Sequence, residues 1–303
     1  MYRRHMSSDA PSTPPAETNI DSKLVRALLK SQHQDLASLP IRIMESGWDN
    51  VMVKLGDDLA LRLPRRAVAE PLILSEQKWL PVLAPLLPLP IPNPIRVGKP
   101  EKGYPYHWSV VHWLPGEAAD VSPPDPSEYR RLVHFLKALH SIELPANAPT
   151  NSVRDCPLVQ KQADTEKRMD VLSKETSLIT SAVTRIWENG LKARVDVPKT
   201  WIAGDIHARN VLVDSGKISA FIDWGDMCAG DPATDLASIW GLLSDTQSRK
   251  SAIDLYGMSN STIARAKAWA VFFGVILAET GRKDTPRHAR MGEAILRRLT
   301  EDE

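Results

Sequence analysis

The sequence predicts an α+β protein of two lobes, a small antiparallel β-sheet with one main helix followed by a larger, mainly helical region. Short apolar runs bounded by turn residues, typical of strands, recur up to residue 113. Apolar residues at i, i+3, i+4 and i+7, typical of helices, dominate after it. A Leu-Pro-Gly link at 114–116 separates the two patterns. We therefore expect an N-terminal lobe over 20–113, a C-terminal lobe over 114–303 and a ligand cleft between them.

Composition and charge exclude several classes of protein. The 303-residue chain is 43% hydrophobic and 25% charged, and its 38 basic and 37 acidic residues give a net charge of +1. A general nucleic-acid-binding protein would carry a clear basic excess. Two cysteines cannot form a disulfide framework or a four-cysteine zinc site. These features predict a protein with no nucleic-acid partner, and they leave its oligomeric state open.

The N-terminus and the hydrophobic runs predict where the protein is found. Residues 1–19 are rich in Pro, Ser and Thr and are expected to form a disordered tail. No apolar segment follows the N-terminus, as a signal peptide would require, and no apolar run reaches the roughly 20 residues that span a bilayer. We therefore expect a cytoplasmic protein with no membrane partner.

In the N-terminal lobe, Asp21 is placed to cap a first helix, and strands are predicted around two turns. The pair Glu70–Pro71 opens the main helix of this lobe, since proline suits the first helical turn. The predicted strands cover 41–45, 51–55, 59–63, 95–98 and 108–113.

In the C-terminal lobe, Asp125 followed by Pro126 marks the start of a helix whose apolar residues continue to Leu139. Two polar-faced helices are expected within 155–190. A short hairpin follows, and helices then run to the end of the chain. The hairpin strands cover 211–213 and 218–222, and the helices lie near 233–243, 247–256, 260–280 and 286–300.

The densest chemical signal is a loop that carries Asp205 and Asn210, followed by the hairpin and then by Asp223 at the end of an apolar strand. A hairpin brings its two ends together, so these three side chains are expected to meet at the cleft. Carboxylate and amide oxygens are hard ligands, which suit Mg²⁺ together with substrate phosphates. A single Asp is usually a cap or a surface residue, and Asp214 beside the hairpin turn is interpreted in that way.

The motifs around these residues resemble the aminoglycoside phosphotransferase family of small-molecule kinases. They read G-D-x-H-x-x-N from Gly204, then I-D-W-G-D from Ile222, then G-D-P-x-x-D-L-A from Gly230. The likeness covers about residues 21–300 and is most specific over 201–237. It implies a protein-kinase-like bilobal fold and Mg²⁺-dependent transfer of phosphate from ATP or GTP to a hydroxyl of a small molecule.

The resemblance implies a role for each residue of the motif. Asp205 corresponds to the catalytic Asp that orients the acceptor hydroxyl, and Asn210 and Asp223 correspond to the Mg²⁺ ligands. Asp235 corresponds to a buried residue that braces the catalytic loop. His207 either packs the loop or forms a metal pair with Asp205, and packing is favoured because imidazole suits zinc rather than magnesium.

The N-terminal lobe offers a second test of the resemblance. Arg62, in the third strand, stands where the family usually has a Lys that holds the nucleotide phosphates, and Glu76 on the next helix is the matching carboxylate. Arginine keeps the charge and binds phosphate bidentately, although it is not interchangeable with lysine. The alternative is an exposed strand arginine beside a surface glutamate. A second departure is Ala203, where the family often has His.

Two further segments are expected to contact the nucleotide. The turn that contains Gly47, Trp48 and Asn50 resembles the loop that covers the phosphates, which its backbone amides would contact, although a plain hairpin turn is equally compatible. His112 and Trp113 lie at the link between the lobes, where the family binds the purine through the main chain.

The acceptor is predicted to be an aminoglycoside-like or other antibiotic, on family analogy alone. Acidic residues expected near the cleft would suit a cationic acceptor, although a polar helix face is the simpler interpretation; they are Asp120, Asp155, Asp164, Glu166 and Asp170. The alternatives are a kinase of choline, homoserine or a sugar, a nucleotide-binding homologue without transfer activity, and a metal-dependent hydrolase.

Overall fold

The computed structural model describes residues 15–303, so most of the expected tail, residues 1–14, lies outside the described residues. The helices are α1 (Ser22–Gln32), α2 (Glu70–Leu83), α3 (Tyr129–Ser141), α4 (Gln162–Glu175), α5 (Ser181–Lys192), α6 (Ala233–Leu236), α7 (Ser238–Leu242), α8 (Thr246–Tyr256), α9 (Asn260–Asp284) and α10 (Pro286–Glu301). The strands are β1 (Ile41–Ser46), β2 (Asn50–Leu55), β3 (Leu59–Pro64), β4 (Pro94–Gly98), β5 (Trp108–His112), β6 (Glu117–Ala118), β7 (Thr200–Ile202), β8 (Val211–Asp214), β9 (Lys217–Phe221) and β10 (Cys228–Gly230).

The small lobe is built on a five-stranded antiparallel sheet in the order β1-β2-β3-β5-β4. Strand β3 lies in the middle of the sheet and pairs Arg62 with Met52 of β2 and Ser109 of β5. Helix α1, whose first turn is capped by the Asp21 carboxylate accepting from the Leu24 amide, packs its apolar stripe against the sheet. The order of these elements along the chain and the antiparallel character of the sheet agree with the sequence-based expectation.

The tail ends earlier than the sequence predicts. Glu17 already contacts the small lobe: its amide donates to the Arg65 carbonyl, and its carboxylate accepts from the Ala67 amide and the Tyr106 hydroxyl. Three hydrogen bonds hold Glu17 against the small lobe. The ordered part of the chain therefore includes residue 17, two residues before the predicted end of the tail at residue 19.

Helix α2 connects the two lobes. Its first half places Glu76, 1% exposed, beneath the sheet, whereas Trp79, Leu80 and Leu83 in its second half belong to the core of the large lobe. The Trp79 ring meets Trp201 of β7 edge to face, with centroids 5.2 Å apart. The packing therefore crosses the chain boundary expected at residue 113.

The large lobe is organised around α9, which contacts α4, α5, α6 and α10. By length and composition alone, the stretch Asn260–Lys283 would suffice to cross a bilayer. However, 61% of its most apolar window is buried inside the protein, and such helices also form the cores of globular proteins. We interpret α9 as the core helix of this lobe.

Two small sheets hold the segment between the lobes. Strand β6 pairs with β8 of the predicted β8–β9 hairpin, and β7 pairs with β10. The sequence did not predict β6, β7 or β10, because strands of two or three residues are too short to show an alternating pattern. Together the two sheets fix both ends of the loop that runs from Ala203 to Asn210.

Candidate active site

The catalytic loop predicted from the sequence joins β7 to β8 and is held from below by Asp235. This carboxylate is fully buried, and its two oxygens accept hydrogen bonds from the Ala203 and Gly204 amides, both at 2.8 Å. One of the oxygens also lies 3.3 Å from Nε2 of His140 on α3. Asp235 therefore occupies the bracing position that the resemblance implies.

Gly204 is required by the geometry of this loop. Its φ of +82° is left-handed, and a Cβ at this position would lie 2.8 Å from the Asp226 carbonyl oxygen. The loop before Asp205 consequently lies directly against the loop that follows Asp223.

Asn210 is 8% exposed, and its side-chain amide donates to the backbone oxygen of Asp205 at 3.0 Å. The Asn210 carbonyl in turn accepts from the Ile222 amide at 2.8 Å, which joins the loop to the end of β9. Because the side-chain nitrogen is used in this contact, Oδ1 is the atom that remains to ligate a cation.

Asp223 follows β9 in a left-handed conformation, with φ of +61°, and its side chain is 57% exposed. Positive φ is uncommon for a residue other than glycine and is concentrated at functional sites. Oδ1 of Asp223 lies 3.5 Å from Nη2 of Arg62 in the opposite lobe. The structure thus brings the predicted metal ligand of the large lobe to the predicted phosphate-binding group of the small lobe.

Arg62 and Glu76 form a buried bidentate ion pair. Nε and Nη2 of Arg62 donate to the two carboxylate oxygens at 3.1 and 2.7 Å, and the two residues are 6% and 1% exposed. Burial raises the pKa of Glu76 to about 7, against the opposing effect of Arg62. Burial alone would lower the pKa of Arg62, but Glu76 and Asp223 together raise it. The alternative of an exposed strand arginine beside a surface glutamate is therefore wrong.

Asp205 has a partner that sequence reasoning missed. Nη2 of Arg154 lies 2.9 Å from Oδ1 of Asp205 and 2.8 Å from Oδ2 of Asp226, so one guanidinium bridges two carboxylates. Burial raises the pKa of Asp205. The nearby charges of Arg154 and His207 lower it, and those of Asp226 and Asp223 raise it further. No motif marks Arg154, which lies about 50 residues before the loop in an irregular segment.

A turn fixes the orientation of Arg154. The side-chain oxygen of Asn151 accepts from the Val153 and Arg154 amides, and its nitrogen donates to the Asp226 carboxylate at 2.9 Å. The Arg154 guanidinium also lies 5.1 Å from the centre of the Phe273 ring of α9. The side chain is only 13% exposed, so it forms a wall of the site.

The expected nucleotide contacts in the small lobe are met only in part. The Gly47 amide donates to the Asn50 carbonyl at 2.9 Å, which closes the turn on itself, so this amide is not available to a phosphate. The Trp113 amide likewise donates to the Asp58 carbonyl at 2.7 Å, which removes it as a purine contact. Half-buried Trp48 and exposed His112 lie in the expected turn and link.

Asn50 differs from its neighbours in the turn. Its side-chain oxygen Oδ1 is buried and has no hydrogen-bond partner within residues 15–303. An unpaired buried oxygen is costly, so a donor group from a bound molecule would find a partner there.

Beyond Asp205, the loop contacts the start of α10. Nδ1 of His207 accepts from the Arg209 amide at 3.2 Å, as a packing role implies, and Nε2 lies 3.7 Å from Asp205. The Arg209 guanidinium lies 2.6 Å from Nε2 of His288, whose pKa burial and Arg209 lower to about 4. Next to it, Nη2 of Arg287 donates to Asp120 at 2.6 Å.

The residues available for a metal ion are few. Within residues 15–303 there is no group of three or more His, Cys, Asp or Glu side chains arranged to hold one. Asn210 and Asp223 together supply one amide oxygen and one carboxylate. This set fits Mg²⁺, which is usually held by one or two protein oxygens together with substrate phosphates and water. It does not fit zinc, which prefers a closed set of nitrogen and sulfur ligands.

Comparison with known proteins gives a consistent result. The sequence matches the family described as the phosphotransferase enzyme family over residues 40–269. Aminoglycoside 3'-phosphotransferase of Salmonella typhimurium is 28% identical over 162 residues, which cover 50% of this chain and 59% of that protein. The match thus spans less than two thirds of the length of this curated relative.

Solved structures resemble the whole fold. The complex of APH(2")-IIia with GDP and kanamycin has a TM-score of 0.66 and 15% identity, covering 92% of this chain and 99% of that one. Macrolide 2'-phosphotransferase MphH from Brachybacterium faecium has a TM-score of 0.56 and 20% identity, covering 91% and 98%. The kinase-like α+β fold predicted from the sequence is confirmed by these structures. Because the family match extends over most of the chain, the protein belongs to the phosphotransferase enzyme family.

Proposed function

We propose that this protein transfers the terminal phosphate of a nucleoside triphosphate to a hydroxyl of a small organic acceptor, with Mg²⁺ as cofactor. The observation that carries this proposal is the meeting of charges across the cleft. The Arg62–Glu76 pair of the small lobe faces Asp223 of the large lobe at 3.5 Å, beside the loop of Asp205 and Asn210. Phosphoryl transfer depends mainly on positioning and charge neutralisation, and these groups supply both.

Each side chain has a defined part in this proposal. Arg62, held by Glu76, binds the phosphates, and its planar guanidinium suits two phosphate oxygens at once. Asn210 and Asp223 hold Mg²⁺, which when bound neutralises phosphate charge. Asp205 accepts a hydrogen bond from the acceptor hydroxyl, directs its oxygen at the terminal phosphorus and takes up its proton.

The donor is ATP or GTP, and the acceptor is an antibiotic of the aminoglycoside or macrolide type. Support comes from relatives whose structures hold GDP with kanamycin or ADP, and from the macrolide phosphotransferase of similar fold. We also propose a cytoplasmic location, where nucleoside triphosphates are abundant. The free cysteines Cys156 and Cys228 agree with a reducing compartment.

The experiment compares two variants of the site in a coupled assay for released diphosphate with a panel of acceptors. Asp205→Asn is expected to lower kcat at least a thousandfold while nucleotide affinity, measured by calorimetry with Mg²⁺, stays within about threefold. Asp223→Asn is expected to weaken Mg²⁺-nucleotide binding at least tenfold.

Asp214→Asn, at the exposed end of β8, serves as the matched control and should leave both quantities unchanged. The proposal fails if the wild-type protein binds nucleotide but phosphorylates none of the antibiotics, or if Asp205→Asn keeps kcat within tenfold of wild type. Turnover of choline, homoserine or a sugar alone would keep the chemistry and replace the acceptor class.

A further inference from the structure

The acceptor side of the catalytic loop is enclosed by charges that the protein has already paired. Three carboxylates belong to this surface, Asp205, Asp226 and Asp120. Arg154 pairs with the first two, and Arg287 pairs with the third.

The Arg154 bridge is the most strongly built of these contacts. Nε and Nη2 of Arg154 lie 3.0 and 2.8 Å from Asp226, and Nη2 lies 2.9 Å from Asp205. The Asn151 turn holds the backbone of Arg154, and the side chain is only 13% exposed, so little side-chain entropy is lost in keeping the guanidinium in place. Removing this buried partner would leave the Asp205 and Asp226 carboxylates without their shared arginine.

The remaining cation on this side is Arg209. Its guanidinium contacts Nε2 of His288, a ring that is 9% exposed and neutral at pH 7 because burial and Arg209 lower its pKa. The surface therefore carries three arginines against three carboxylates, with no excess of negative charge.

Three of the other acidic residues expected near the cleft, Asp155, Asp164 and Glu166, have partners as well. Asp155 pairs with Lys199 at 2.8 Å and Asp164 with Arg168 at 2.9 Å. Glu166 accepts from Gln162 at 2.9 Å. An acceptor with several ammonium groups gains affinity from unpaired carboxylates, and at this surface it would first have to break arginine pairs of the protein.

We infer that the acceptor, whose hydroxyl is phosphorylated beside Asp205, carries at most one positive charge where it meets this surface. The Arg154 bridge therefore excludes a polyamine such as kanamycin. This inference rests on the proposed function, which it narrows to acceptors recognised by neutral hydrogen bonds and apolar contact. Macrolide-type hydroxyl compounds agree with this charge limit, and polycationic aminoglycosides do not.

The test is a calorimetric measurement of kanamycin binding to the full-length protein loaded with Mg²⁺ and a non-hydrolysable nucleotide. Arg154→Gln is expected to bind kanamycin at least tenfold more tightly than the wild type, because it removes the positive charge that pairs with Asp205 and Asp226. Arg154→Lys keeps the positive charge and should stay within threefold of the wild type. Arg96→Gln removes an exposed charge from β4 and controls for net charge.

The inference is overturned if the wild type binds kanamycin at micromolar concentration, or if Arg154→Gln binds it no more tightly. Should Arg154→Gln fail to fold, Arg287→Gln provides the same comparison at Asp120. The binding measurement does not require turnover. A protein that phosphorylates no acceptor would contradict the proposed function, whereas the kanamycin comparison would still show whether this surface accepts a polycation.

Discussion

His288 is a buried imidazole whose neutral form the fold favours. Burial and the guanidinium of Arg209 lower its pKa from 6.5 to about 4. The unfolded chain therefore binds more protons than the folded protein between these two values. The contribution of His288 to stability is fully present above pH 6.5 and is lost as the pH falls towards 4.

Replacement of His288 by Gln should therefore flatten the dependence of stability on pH between 6.5 and 4. The effect is at most about 3 kcal/mol, since one pKa unit corresponds to about 1.4 kcal/mol. The measurement is denaturant unfolding of wild type and variant at several pH values, with His112→Gln, an exposed histidine, as the control. Parallel curves for wild type and His288→Gln would contradict the prediction.

Single residues also mark the limit of sequence reasoning. Asp205, Asn210 and Asp223 could be predicted because neighbouring short motifs carry all three. The Arg62–Glu76 pair could be predicted because the family resemblance assigns a cation to the third strand and a carboxylate to the next helix. Arg154 could not be predicted, since it reaches the site from an irregular segment whose path only the tertiary structure defines. The amide of Gly47 was wrongly expected to be free for a phosphate, and the amide of Trp113 is likewise already used, because a sequence does not reveal which backbone groups a turn already uses.

At the scale of the structural element, the loop from Ala203 to Asn210 depends on one buried carboxylate, that of Asp235. Both oxygens of Asp235 accept backbone amides of the loop at 2.8 Å, with no exposure to water. An asparagine would offer an NH₂ group to one of these donors, leaving a buried amide unpaired. Such a loss costs about 1–3 kcal/mol, and more where the lost partner is charged.

Asp235→Asn should accordingly lower the free energy of unfolding by about 2–4 kcal/mol and reduce kcat through displacement of the loop. Chemical denaturation measures the first effect and steady-state kinetics the second. Asp254→Asn, an exposed change on α8, should alter neither. Full stability in Asp235→Asn would show that the loop does not need this brace.

The elements themselves were predicted to different degrees. The five strands of the small lobe and the β8–β9 hairpin were found because turn residues bound short apolar runs. Helix α9 was expected near 260–280 and continues to Asp284. The predicted helix near 233–243 is instead two short helices, α6 and α7, joined at Ala237. Local sequence does not reveal that break, because no Gly or Pro lies at the junction of the two helices.

At the scale of the whole molecule, α2 holds the two lobes together through Trp79. The ring is 8% exposed, belongs to the core of the large lobe and contacts Trp201 at the strand before the catalytic loop. Deleting a buried indole typically costs about 3–5 kcal/mol.

Trp79→Ala should cost that amount in denaturant unfolding and should also raise the nucleotide KM, because Glu76 lies one turn earlier on the same helix. Val82→Ala removes an apolar side chain that is 53% exposed on the same helix, so it should change stability by less than about 0.5 kcal/mol. A loss of stability in Trp79→Ala without any change in KM would separate the packing of α2 from nucleotide binding.

The shared helix also bears on how a spent diphosphate leaves. The second half of α2 is packed in the core of the large lobe. If the sheet of the small lobe moves away from the cleft, either the Arg62–Glu76 contact is strained or α2 bends. Pro81 lacks an amide hydrogen and omits one helical hydrogen bond at that end, which makes it the natural bending point. We therefore expect the diphosphate to leave through bending of α2 rather than through rotation of two rigid lobes.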